Sequence, residues 1–83
     1  MAKQIVLDIS DERMLQLPLI LQRDQVIRYR QEFTDAIEMP KQTIRNIRLG
    51  KQHFTAAHIT RACKAFGINC NYIHGLEKKI YRR

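Results

Sequence analysis

Apolar residues recur along this chain at spacings of three and four, with polar residues between them, a period that predicts helices from about residue 11 onward. A first helix is expected from about Asp11 to about Asp24, with Met14, Leu15, Leu17, Leu21 and Pro18 turned inward. Ser10 reads as its N-cap, Asp11 and Glu12 suit the positive end of its dipole, and Ile9 with Met14 has the spacing of a hydrophobic staple. Pro18 removes the bond to the Met14 carbonyl and is expected to kink or divide the helix. A second helix, about Arg30 to Ile37, is marked by Phe33, Ala36 and Ile37. Glu38-Met39-Pro40 breaks it, and Pro40 fits the first turn of a third helix that runs to about Leu49, closed by Gly50. Thr55 caps a fourth, with Phe54 stapled to Ile59 and a buried stripe of Ile59, Ala62, Cys63 and Phe66 that ends at Gly67. Ile68, Asn69 and Ile73 repeat staple and cap for a short fifth helix over 70–74, closed by Gly75. No strand is required, although MAKQIVLDI reads either as an arm or as a short strand.

Length adds a bound to this pattern. Eighty-three residues make one domain with one modest core and no room for a second catalytic lobe. The expected organisation is an amino-terminal arm over 1–10, a helical domain over 11–76 and a basic tail over 77–83. Two cysteines are too few for a disulfide framework, and no charged, apolar, small-residue leader opens the chain, so a cytoplasmic location is expected. The most apolar piece, MLQLPLIL, is interrupted by Gln16 and Pro18 and falls well short of the roughly 18 apolar residues a membrane span needs.

Charge changes the picture further, because the net +7 is unevenly placed. Residues 1–38 carry five cations and seven acids, residues 39–76 carry six cations and no acid, and residues 77–83 add four cations against Glu77. Such an excess attracts nucleic acid or an anionic surface through long-range field and counterion release. The basic half contains PKQTIRNIRLGKQ. Wound at about 100° per residue, its helix sets Ile44 and Ile47 on one flank and gathers Arg48, Lys41, Arg45, Gln42 and Asn46 into an arc of roughly 160°. A merely solvated face would usually include an acid for pairing at spacing four, and this one has none.

Two short helices joined by a tight turn, then a glycine, a basic loop and two further helices form a pattern carried by FTDAIEMPKQTIRNIRLGKQHFTAAHITRACKAFGINCNYIHG. This segment resembles the helix-turn-helix domains of the Cro and phage-repressor class, the XRE family. Phe33, Ala36, Ile44, Ile47, Gly50 and Lys51 fill or approximate the family's places, and AFGINCNYIHG is similar to its usual ending. Three positions depart from the pattern. Glu38 stands where the turn often has Gly, Thr34 where Ala is frequent, and Arg48 where an acid is frequent. A left-handed Glu38 would cost about 1 kcal/mol.

The resemblance implies an all-α, five-helix, lambda-repressor-like fold with a helix-turn-helix over about residues 30–49, and a sequence-specific regulator of double-stranded DNA, a repressor of bacterial or mobile-element origin. It puts base reading on Lys41, Gln42 and Asn46, with Arg45 as an addition. Phosphate contact falls on Arg30, whose neighbouring amides also suit a phosphate, and on Arg48, Lys51, Gln52 and His53. A homodimer on a near-palindromic site follows, because one recognition helix covers too few base pairs to find a promoter. For pairing, the carboxy-terminal surface of Tyr72, Ile73, Ile80 and Tyr81 ranks first and the arm Ile5-Val6-Leu7 second.

Other chemistry is thinly represented. Cys63, Cys70, His53, His58 and His74 include no CxxC or HxxxH pair, so structural cysteines and no metal are expected. No nucleophile and base group persuasively, no glycine-rich phosphate loop occurs, and neither an enzyme nor a cofactor is expected. Tyr72 and Ile73 suit a core or a dimer contact, and KKIYRR a phosphate-binding tail or a disordered end. Two rival readings stay open. One is the antitoxin of a toxin pair, with a protein partner covered by the arm or tail, and the other is an interaction module that has lost DNA binding.

Overall fold

Five helices supply the regular structure of residues 7–82, the part of the chain that the computed structural model describes. They are α1 (Ile9–Arg23), α2 (Gln31–Ala36), α3 (Lys41–Arg48), α4 (Ala56–Phe66) and α5 (Cys70–Ile73). The expectations placed on Ile5 and Val6 lie outside the described residues. Among those residues no helix is long and apolar enough to cross a membrane.

The ends of the helices follow from local chemistry. Thr55 caps α4 in a reciprocal box: its hydroxyl accepts from the His58 amide at 3.3 Å, and the His58 ring accepts from the Thr55 amide at 3.1 Å. Asn69 caps α5 by accepting from the Asn71 amide at 3.1 Å. At the other end, all five helices close in one way. An amide just past a left-handed residue bonds back five positions, as Val26 to Leu21, Met39 to Thr34, Lys51 to Asn46, Ile68 to Cys63 and Leu76 to Asn71, at 2.8–3.1 Å. Glycine holds the left-handed position three times, but Gln25 (φ 61°) and Glu38 (φ 57°) hold it after α1 and α2. Each of those two costs about 1 kcal/mol against glycine.

Helix α1 differs from expectation at its start and in its middle. Its N-cap is Asp8, whose carbonyl accepts from the Glu12 amide at 2.9 Å, so Ser10 lies inside the first turn. The reason is tertiary. This register brings Asp11 inward, where its carboxylate is fully buried and accepts the Phe54 amide at 2.9 Å. Ile9 is consequently helical, half-exposed and set against Gly75, where a Cβ would come within 3.0 Å of Ile9 Cγ1, so no Ile9–Met14 staple precedes the helix. Pro18 does not divide α1, which continues through it. One missing amide is outweighed by the burial of Met14, Leu17 and Leu21 on the same helix. Leu15 and Pro18 are only partly buried.

The core gathers Met14, Leu17 and Leu21 of α1, Phe33 and Ile37 from α2 and its cap, Ile47 of α3, and Ile68 and Ile73 around α5. Phe33 and Phe66 stack with ring centroids 5.9 Å apart and join α2 to α4. Arg13 joins α1 to α5: its guanidinium lies 4.3 Å from the Tyr72 ring centroid and donates to the Tyr72 carbonyl at 2.9 Å.

The tail returns to the domain. Asn69 N–H donates to the Ile80 carbonyl at 2.8 Å and Arg82 N–H to the Gly67 carbonyl at 2.9 Å, an isolated antiparallel bridge between Ile68 and Tyr81. Tyr81 also donates its hydroxyl to Asp24 at 2.7 Å, across 57 residues. Burial and the neighbouring Asp24 carboxylate push the Tyr81 phenol up to about 12. Tyr72 and Ile73 are buried, and Ile80 and Tyr81 pack against the core. The apolar surface ranked first for dimer pairing is therefore occupied within one chain.

Candidate nucleic-acid interface

Helix α3 is attached by few residues. Ile47 is fully buried and Ile44 half-buried, while Lys41, Gln42, Arg45 and Arg48 are exposed and Asn46 is half-buried. The turn before it is fixed from α4: the Arg61 guanidinium pairs with Glu38 at 3.1 Å and donates to the Ile37 carbonyl at 3.4 Å. That latch ties the left-handed Glu38, two residues before Pro40, to α4.

The outer residues of α3 fall into two strips. Lys41, Arg45 and Arg48, at helical spacing, line an open cleft of about 570 Å³ whose far wall is Arg30, Gln31 and Thr34 of the α2 start. Arg30 is oriented there by donating from Nε to Gln22 Oε1 at 3.1 Å. Among the described residues, no acid lies within ion-pairing distance of any of these four cations. Beside the cleft runs a chain of amides. Gln42 donates to Asn46 at 3.2 Å, and Asn46 donates to Gln52 of the following loop at 2.9 Å.

Lys41 and Arg45, taken for base reading on the resemblance, thus share a cleft with Arg30 and Arg48, and Gln52, taken for a phosphate contact, touches a base-reading candidate. Two of the amides leading into α2 are already engaged. Those of Arg28 and Tyr29 donate to the Glu32 carboxylate at 2.6 and 2.7 Å, which holds that carboxyl below its ordinary range and leaves those amides no free valence. The loop candidates Lys51, Gln52 and His53 are all exposed, and His53 is in addition tied down: its Nδ1 lies 2.5 Å from Asp11 and 3.6 Å from Asp8. The Asp11 bond, chiefly, raises the imidazole above its usual range. A base raised on folding adds stability that is complete below its unfolded value and is lost as pH rises through the folded one. Asp11 itself, which joins α1 to the loop after α3, carried no local signal, since its partners stand 42 and 43 residues away.

No protein-family model, curated protein or solved structure matches this chain.

Proposed function

We propose that this chain is a sequence-specific double-stranded DNA-binding regulator, a repressor that acts by occupancy, built on a lambda-repressor-like helix-turn-helix formed by α2 and α3. One observation carries the reading: four cations from two helices converge on one cleft with no acid among the described residues to pair them, beside a strip of three side-chain amides on α3 and its loop. Unpaired cations in a shared cleft repel one another, and a bound polyanion would relieve that repulsion. An amide donates to the N7 acceptor of adenine and accepts from its N6 amino group in the major groove, where an α-helix fits. The division of labour is then spatial. Arg30, Arg48 and Lys51 hold phosphates, Gln42 and Asn46 read base edges, and Lys41 and Arg45, in the cation strip beside the amides, serve either.

Two chains bind one near-palindromic site on this reading, since a single helix reads too little sequence to select a promoter. The test begins with selection of duplexes from a random pool, followed by native mass measurement of the complex on the selected site. A selected motif with a repeated half-site and two chains per duplex are expected. No enriched motif, or one chain at saturation on a site without a repeat, would overturn it.

A further inference from the structure

The chain's two cysteines, seven residues apart, meet in space: Cys70 Sγ lies 2.6 Å from Cys63 Sγ, with both recorded as free thiols. Cys63 is buried on the inner stripe of α4, while Cys70 is exposed at the first position of α5. Between them lie Gly67, Ile68 and Asn69, the residues against which the tail is hydrogen-bonded. The pair therefore spans the connection that carries the tail, with one thiol open to solvent and the other directly behind it.

We infer that Cys63 and Cys70 are a reversible thiol–disulfide site, in which Cys70 meets a small-molecule disulfide and Cys63 resolves the adduct into an intrachain bond. In the first step the Cys70 thiolate attacks one sulfur of the oxidant RSSR, forming Cys70–S–S–R and releasing RS⁻. In the second, Cys63 Sγ attacks Cys70 Sγ, the bond to SR breaks, and a second RS⁻ leaves. Each RS⁻ takes up a proton that a protein thiol has lost. Two protein thiols are oxidised and one RSSR is reduced to two RSH. The order follows from access, because only Cys70 can be reached from solvent. Burial, with the adjacent Cys70 adding to it, pushes the Cys63 thiol up to about 12, which disfavours Cys63 as the first attacker.

Closing this short loop removes freedom from the unfolded chain and secures the strip that receives the tail. No residue of α3 takes part, and the inference is independent of the DNA reading.

The experiment uses the full chain in buffers of oxidised and reduced glutathione, quenched, alkylated and weighed intact. After oxidation the wild type is expected to lose two hydrogens, take up no alkyl group and, after trypsin cuts at Lys64, release peptides 62–64 and 65–78 as a linked pair. Its melting temperature should rise on the order of 5–10 °C and return on reduction. Cys63→Ala should instead accumulate a glutathione adduct at Cys70, and Cys70→Ser should react at neither position. Because Cys63→Ala removes a buried side chain, the wild-type mass and melting shift decide the question if that variant fails to fold. A wild type that stays fully alkylatable, that stops at a stable adduct on Cys70, or that joins two chains through Cys70 would overturn the inference.

Discussion

Helices α3 and α4 belong to one small domain, both carry cations and no acid, and yet their residues answer to different demands. In α4 local signals agree with the fold. It has a reciprocal cap at Thr55 and His58, a left-handed glycine at its end, and three buried residues on one stripe. Its cations are placed as well. Arg61 latches Glu38, and Lys64 stands in the last turn, where a cation suits the helix dipole. In α3 only part of this holds: it too closes at a left-handed glycine, Gly50, and carries Arg45 and Arg48 in its last turn. Its cap, Pro40, makes no side-chain bond, only Ile47 is fully buried, and Lys41 sits at the first position, where a cation opposes the dipole. Helix α3 holds its place with Ile47, half-buried Ile44 and the Arg61–Glu38 latch, and leaves Lys41, Gln42, Arg45 and Arg48 exposed.

Mutations on the two helices should therefore separate binding from stability. The largest effect belongs to the amide strip: Asn46→Ala or Gln42→Ala should weaken binding to the preferred duplex by about 1–3 kcal/mol, change affinity for random DNA little, and leave stability within about 0.5 kcal/mol. Equal losses on both duplexes would show that the amides hold and do not read. On α4, Thr55→Ala should reverse the pattern, lowering unfolding free energy by about 0.5–2 kcal/mol in denaturant titration with DNA affinity unchanged at temperatures where the domain stays folded. A small gain in stability is the most discriminating. Lys41→Glu replaces a cation with an acid at the α3 start, so stability should rise by about 0.3–1 kcal/mol while DNA affinity falls. Loss of both together would mean that Lys41 serves the fold.

The same contrast governs what could be read from sequence. Thr55, Asn69, Gly50, Gly67 and Gly75 act within a few residues of themselves, and each stands at a helix end as the pattern predicts. The all-helical class followed from that punctuation and from the spacing of Phe33, Ile37, Ile44, Ile47 and Ile59. Long-range partners were not legible. Asp8 and Ser10 are both capping residues, and the choice between them is made by Asp11 reaching Phe54 and His53. Tyr81 and Ile80 looked spare because their partners, Asp24 and Asn69, are distant in the chain. Cys63 and Cys70 gave no framework by count, yet a single turn at Gly67 brings them together. At the interface the residue types were readable from α3 alone. The cleft was not, because its far wall is Arg30, oriented by Gln22 of α1.

Salt dependence of binding to a mixed-sequence duplex tests whether the cations around α3, which no acid pairs among the described residues, hold a polyanion. With some four to eight phosphate contacts, log affinity should fall linearly with log salt, losing about two to four orders of magnitude between roughly 50 and 200 mM. Binding that stays flat across that range, or no binding at the low-salt end, would contradict the account.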